Sequence, residues 1–212
     1  MSSLTIFDKL AVEYDQWFDH HSAVFQSELA ALKNVIPTTG KGLEVGVGSG
    51  RFAAALKIQF GLDPSDAMLD IAKSRGILTF KGVAESLPFD NCTFDFVLIV
   101  TTMCFVTDPL KTLDEAKRVL KSNGTLIIGM IDRSSKLGQC YEADKQQNSY
   151  YRDAHIYTVN EMIELLHEAN FKETEIYQTI FSSIEHISIP EEVKSGYGEG
   201  GFVVLKAIVS KF

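Results

Sequence analysis

Gly42-Leu43-Glu44-Val45-Gly46-Val47-Gly48-Ser49-Gly50 decides how this chain is read. An apolar run carries an acid, Glu44, and three glycines follow at alternate positions. A second acid, Asp63, stands seventeen residues after Gly46 and closes another apolar run, Ile58 to Leu62. Glycines accept positive φ and let a ligand come close to the backbone. A carboxylate at the second strand end, at an offset of about 20 residues, can grip ribose hydroxyls. Two acids at two strand ends, with a glycine loop between them, suit a nucleoside ligand.

Working outward, the chain alternates strand and helix. Upstream, Leu4, Phe7, Leu10, Ala11, Tyr14 and Phe18 form one helical stripe, and Val24, Phe25, Leu29, Leu32 and Val35 form a second that stops at Pro37. Two helices are therefore expected before a first strand over residues 41–46. Downstream, a short helix from Arg51 to Leu56 leads to a second strand, 57–62. Ser65 caps a helix that Gly76 ends, and a short third strand follows at 77–80. Phe94 to Val100 is almost continuously apolar, as a central parallel strand covered on both faces would be. Asp108-Pro109 opens a helix with core positions Leu110, Leu113, Ala116 and Leu120. Ser122-Asn123-Gly124 then turns into a strand from Thr125 to Ile131. Residues 132–157 are polar and aperiodic, and are expected to be a long functional loop. Thr158 and Glu161 read as a capping box, and residues 171–180 and 201–209 as two last strands. The alternation implies a doubly wound parallel sheet with an antiparallel hairpin at its end.

Composition narrows the class. A chain of 212 residues is most simply one domain and is long enough for a sizeable core. Its net charge of −8 argues against a nucleic-acid partner, which needs a basic face. Residues 1–20 lack the basic-then-apolar layout of a signal peptide. The longest apolar run, Phe96 to Val100, is far too short to span a bilayer, so no membrane partner is expected. Cys92, Cys104 and Cys140 fit no zinc spacing and no disulfide framework, which points to a reducing cytoplasm and to no metal.

Five segments, in order, resemble the class I S-adenosylmethionine-dependent methyltransferases of the methyltransferase-11, small-molecule type. Residues 43–52 correspond to that family's first motif, and Gly61-Leu62-Asp63-Pro64-Ser65-Asp66-Ala67-Met68-Leu69 to its ribose-binding segment. Gly82-Val83-Ala84-Glu85-Ser86-Leu87-Pro88-Phe89 is similar to the adenine-side loop. Phe94-Asp95-Phe96-Val97 opens the fourth strand, and Ala116-Lys117-Arg118-Val119-Leu120-Lys121 with Gly124 resembles the run into the fifth. The resemblance spans residues 5–209. It implies a Rossmann-like, mostly parallel seven-stranded α/β sheet in a single domain, 1–212. Residues 1–38 would be a helical lid, 39–131 the cofactor-binding half, 132–157 a polar loop or lid, and 158–212 the last helix and hairpin.

The resemblance also implies roles. Glu44 and the backbone of Gly46, Val47, Gly48 and Gly50 would hold the methionine end of the cofactor. Asp63 would accept both ribose hydroxyls. Pro64 and Met68 would line the adenine face, and Ala84 and Glu85 would meet its edge. Thr101 and Thr102 would face the sulfur region, with Tyr14 closing the site from above. Three departures stand out. Val83 replaces an acid that the family usually has, and reads as a core residue. Cys104 and Phe105 stand where many relatives carry histidines. The first helix is about one turn short, which preserves its face.

Methyl transfer needs alignment and exclusion of water, and a base only if the nucleophile is protonated. Tyr14, His20, His21, Asp132 and His155 are the candidates, with the two histidines between the N-terminal helices favoured. Tyr14 and Trp17 also read, and more simply, as a staple that holds the first helix to the domain. The expected acceptor is a small molecule, with a cationic or aromatic amine preferred for this acidic, tyrosine-rich chain. Two other readings stay open. One is a module that binds S-adenosylmethionine without turning it over. The other is an NAD-dependent short-chain-type dehydrogenase, because Gly48-x-Gly50-x-x-Ala53 fits a dinucleotide fingerprint and Tyr141-x-x-x-Lys145 has that class's spacing. Oligomeric state is not legible.

Overall fold

A computed structural model of the chain describes residues 3–209, with side chains from residue 6. The Leu4 side chain, read on the first stripe, lies outside that range. Five strands form the parallel half: β1 (Gly42–Val45), β2 (Phe60–Asp63), β3 (Leu78–Lys81), β4 (Phe94–Val100) and β5 (Leu120–Ile131). Three complete the sheet: β6 (Phe171–Thr179), β7 (Lys194–Ser195) and β8 (Phe202–Val209). Their order is β3-β2-β1-β4-β5-β8-β6-β7, with β8 antiparallel between β5 and β6. This is the doubly wound, mostly parallel α/β sheet with an antiparallel end. The seven expected strands are all present, and the eighth is the two-residue edge strand β7.

β4 shows why the sheet is double-faced. Val97 and Ile99 enter one apolar layer, with Leu113, Ala116, Met162 and Leu166 from helices α6 (Pro109–Val119) and α8 (Val159–Glu168). Phe96, Leu98 and Val100 enter the other. There they meet Leu29 and Leu32 of α3 (Ser22–Lys33), Ala53 of α4 (Arg51–Leu56), and Leu69 and Ala72 of α5 (Asp66–Ser74). A continuous apolar strand is what alternate burial on two faces requires.

Several local expectations are corrected. The first stripe is two helices, α1 (Ser3–Lys9) and α2 (Ala11–His20), so three helices precede β1. The break falls at Leu10, whose φ of −114° and ψ of 23° leave the helix. β5 starts at Leu120, and residues 121–124 form an irregularity between the pairs Phe94–Leu120 and Phe96–Thr125. Residues 132–157 are not all loop, since α7 (Lys136–Asp144) lies within them, capped by the Ser135 hydroxyl. Both hydrogen bonds of the Thr158–Glu161 capping box are formed. No helix among the described residues is long and apolar enough to cross a membrane.

Candidate active site

The strand order reverses between β1 and β4, and crevices at the carboxyl ends of strands flanking such a point take ligands. A cavity of about 290 Å³ opens there. The glycine loop supplies Gly46 and Gly48, and the end of β2 supplies Asp63 and Pro64, with Met68 just beyond in α5. Ala84 and Glu85 line the far edge, Thr101 and Thr102 follow β4, and Tyr14 closes the cavity from α2. These ten expected residues are therefore brought together.

The backbone of the loop fits a ligand. Gly46 has φ +72°, and a Cβ there would sit 2.2 Å from Thr102 Oγ1. Gly48 has φ +49°, and a Cβ there would meet nothing within 4 Å, so its surface is open space beside the cavity. Asp63 fixes the loop: Gly48 N donates to its Oδ2 and Ser65 N to its Oδ1, each at 2.9 Å. Each oxygen keeps a lone pair for a further donor. Burial pushes the Asp63 carboxyl up, against these two backbone bonds. At 8% exposure the residue is itself buried at the strand end.

Three expected residues lie behind the cavity wall. Glu44 is 1% exposed; burial holds its carboxyl well above the usual range, and the amide of Ala53 lowers it only in part. Its Oε2 has no partner, the one such closed-off atom among the described residues. Val47 packs against Gly61, and Gly50 against Ile77 and Ala72. Val83, expected in the core, is 48% exposed and lines the cavity instead. Glu85 already accepts from Thr107 N at 2.7 Å.

Phe7 of α1 was not anticipated as a site residue. It lines the cavity and meets Tyr14 and Phe105 edge-on at 5.4 and 5.3 Å. The Ser65 hydroxyl donates to Asp8 Oδ1 at 2.6 Å, which sets α1 against the ribose-side turn. Behind α2, Arg51 and Arg75 both bond Asp15.

A second cavity, of about 490 Å³, adjoins the first. Tyr14 and Thr101 line both. Thr101 has φ +47°, a conformation a β-branched residue rarely adopts, and such strain clusters at functional sites. The second cavity is walled by Trp17, Tyr141, Tyr150 and Tyr151, with His20 and the buried Glu28. Glu28 was missed, although a signal existed: it falls four residues after Val24 and four before Leu32, on the apolar stripe of α3.

The other base candidates are not gathered here. His21 stacks on Trp17 at 4.5 Å and bonds its carbonyl. Asp132 is 1% exposed, and its carboxylate accepts from Ser134 N, Ser134 Oγ and Val159 N, tying β5 to α8. His155 N donates to the Cys104 carbonyl, and its ring packs on Tyr157. Burial pushes the Cys104 thiol up to about 12. Tyr141 sits in the aromatic wall, edge-on to Tyr151, while Lys145 pairs with Glu142. Among the described residues no cluster suited to a metal is found.

Comparison with known proteins agrees with this geometry. Residues 43–128 match the family described as a methyltransferase domain. A crystal structure of a Thermotoga maritima protein, described as an SAM-dependent methyltransferase and possible histamine N-methyltransferase, superposes with a TM-score of 0.93. It is 45% identical, over 96% of this chain and 98% of that one. An uncharacterised protein of Methanocaldococcus jannaschii is 48% identical over 96% of this chain and 98% of its own length. Demethylmenaquinone methyltransferase of Staphylococcus epidermidis is 31% identical over 58% of this chain and 57% of its own. With the glycine loop, Asp63 and the switch-point cavity in place, the chain belongs to the class I S-adenosylmethionine-dependent methyltransferases of the methyltransferase-11 type.

Proposed function

We propose that the 290 Å³ cavity holds S-adenosylmethionine and that the adjoining 490 Å³ cavity holds a small-molecule methyl acceptor, an amine. The observation that carries this reading is the wall the two cavities share, Tyr14 and Thr101. The cofactor brings a methyl group already activated on a sulfonium. Asp63 receives the ribose hydroxyls, Pro64 and Met68 the adenine face, and Ala84 and Glu85 its edge. The loop amides serve the methionine end, and Glu44 supports that loop from behind the cavity wall. The protein's task is to align the acceptor across the Tyr14–Thr101 wall and to keep water out. The aromatic lining of the second cavity favours a flat or cationic acceptor. The possible histamine activity given for the Thermotoga maritima protein is consistent with that class. Three unpaired cysteines suit a cytoplasmic setting.

Calorimetric titration with S-adenosylhomocysteine and with NAD, followed by a screen of small amines, alcohols and thiols for methyl transfer, tests the reading. Binding of the first ligand and methylation of an amine are expected. Methylation confined to alcohols or thiols would move the acceptor class.

A further inference from the structure

The acceptor cavity contains one buried ionisable group that no neighbour answers. Glu28 is 9% exposed, and no hydrogen bond to its carboxyl is found among the described residues. Its oxygens are also not closed off, since Glu44 Oε2 is the only sealed side-chain atom without a partner among those residues. They open onto the cavity that Glu28 lines. A buried polar group without a partner is costly, and its persistence calls for a ligand.

The surroundings define the missing partner. Among the described residues, no lysine or arginine lines this cavity. Burial first, and nearby acidic groups including Glu28 after it, push up the phenols of Tyr14 on α2, Tyr141 on α7 and Tyr151 beyond it, so these rings stay neutral. Glu13 and His20 of α2 line the same space, and the Cys104 thiol borders the tyrosines. Burial pushes the Glu28 carboxyl up to about 8, so the acid form is favoured at neutral pH until a cation lies beside it. Aromatic faces attract cations, and here they surround a carboxyl that lacks one.

We propose that Glu28 recognises the acceptor: its carboxylate pairs with the ammonium of an arylalkylamine whose ring lies among the tyrosines, and takes a proton from that nitrogen. This rests on the two-cavity reading above. The N–H bond breaks, an O–H bond forms on Glu28, and the N–H electron pair stays on nitrogen as the attacking lone pair. Ammonium and carboxylate become neutral amine and carboxylic acid, so charge balances. Because Glu28 enters the complex with its own proton and the amine with another, binding at neutral pH releases one proton to solvent.

The test uses the full chain saturated with S-adenosylhomocysteine, and 2-phenylethylamine as the probe, with 2-phenylethanol as its neutral counterpart. Titration calorimetry at pH 7 in buffers of different ionisation enthalpy counts the protons. The wild type should bind the amine with release approaching one proton and bind the alcohol more weakly. Glu28→Gln should bind the amine at least about tenfold more weakly, the loss of one charged hydrogen bond, with no proton release. Amine binding without proton release in the wild type, or the alcohol binding as tightly as the amine, overturns the assignment; so does absence of amine binding while S-adenosylhomocysteine binds. The wild-type proton count decides even if the variant does not fold. Failure of S-adenosylhomocysteine itself to bind sinks the two-cavity reading, and the Glu28 assignment with it.

Discussion

Asp15 and Arg51, 36 residues apart in sequence, meet as a two-point fork. Arg51 Nε and Nη2 donate to Asp15 Oδ1 and Oδ2 at 2.8 and 2.9 Å. Arg75 adds a bond to Oδ2 at 2.8 Å and donates to the Ser49 carbonyl at 2.6 Å. Bidentate geometry of this kind fixes orientation as well as distance. The fork joins α2, which carries Tyr14, to the first residue of α4, directly behind the glycine loop.

Replacing Arg51 should loosen that cover. Arg51→Met is expected to lose about 1–3 kcal/mol of stability, the scale for charged hydrogen bonds, read from the urea midpoint. Amide exchange near Tyr14 should quicken, and S-adenosylhomocysteine should slow it again. Unchanged exchange there would mean that α2 is held by its aromatic contacts alone.

The fork also predicts an acid transition. Burial raises the Asp15 carboxyl, but the bonds from Arg51 and Arg75 outweigh it and hold it at about 2, against the usual 3.8. A depressed folded value means stability present above the unfolded value and lost as pH falls toward the folded one. Stability should therefore decline between pH 3.8 and about 2, and Asp15→Asn should flatten that limb. Denaturant titrations across this range provide the measurement.

Asp63 carries two duties, and its removal should show both. Asp63→Ala is expected to cost roughly 2–3 kcal/mol of S-adenosylhomocysteine affinity. It should also cost about 1–3 kcal/mol of stability for each amide left unsatisfied, those of Gly48 and Ser65. Calorimetry and thermal unfolding separate the two. A folded variant with unchanged affinity would refute the ribose assignment.

Gly48 separates space from strain. Gly48→Ala places its Cβ in open space, so the apo protein should lose only the left-handed backbone penalty of about 1–2 kcal/mol. The same methyl projects where a ligand would approach, and S-adenosylhomocysteine affinity should fall by at least about tenfold. Equal affinity in both proteins would mean that the ligand does not use this opening.

Legibility followed how each residue does its work. β4 and the capping box were plain because they rest on burial pattern and local side-chain bonds. The glycine loop and Asp63 were plain because backbone conformation and charge at strand ends leave marks in sequence. The break at Leu10 was hidden, since Leu10, Ala11 and Tyr14 continue the same stripe across it. α7 was hidden for the opposite reason. Its only buried residue is Gly138, where a Cβ would lie 2.1 Å from the Asp132 carbonyl, so it docks by backbone approach rather than by an apolar face. Asp132 looked like a base because sequence shows a carboxylate but not the three donors it serves.

Among the described residues, no residue beyond Tyr151 lines either cavity. The antiparallel edge, β6, β7 and β8, together with α8, contributes no lining side chain to them, and α3, which carries Glu28, packs on β6 and β8. A substitution in that quarter of the chain reaches the two cavities through the packing it gives α3 and the sheet, and not by touching what they hold.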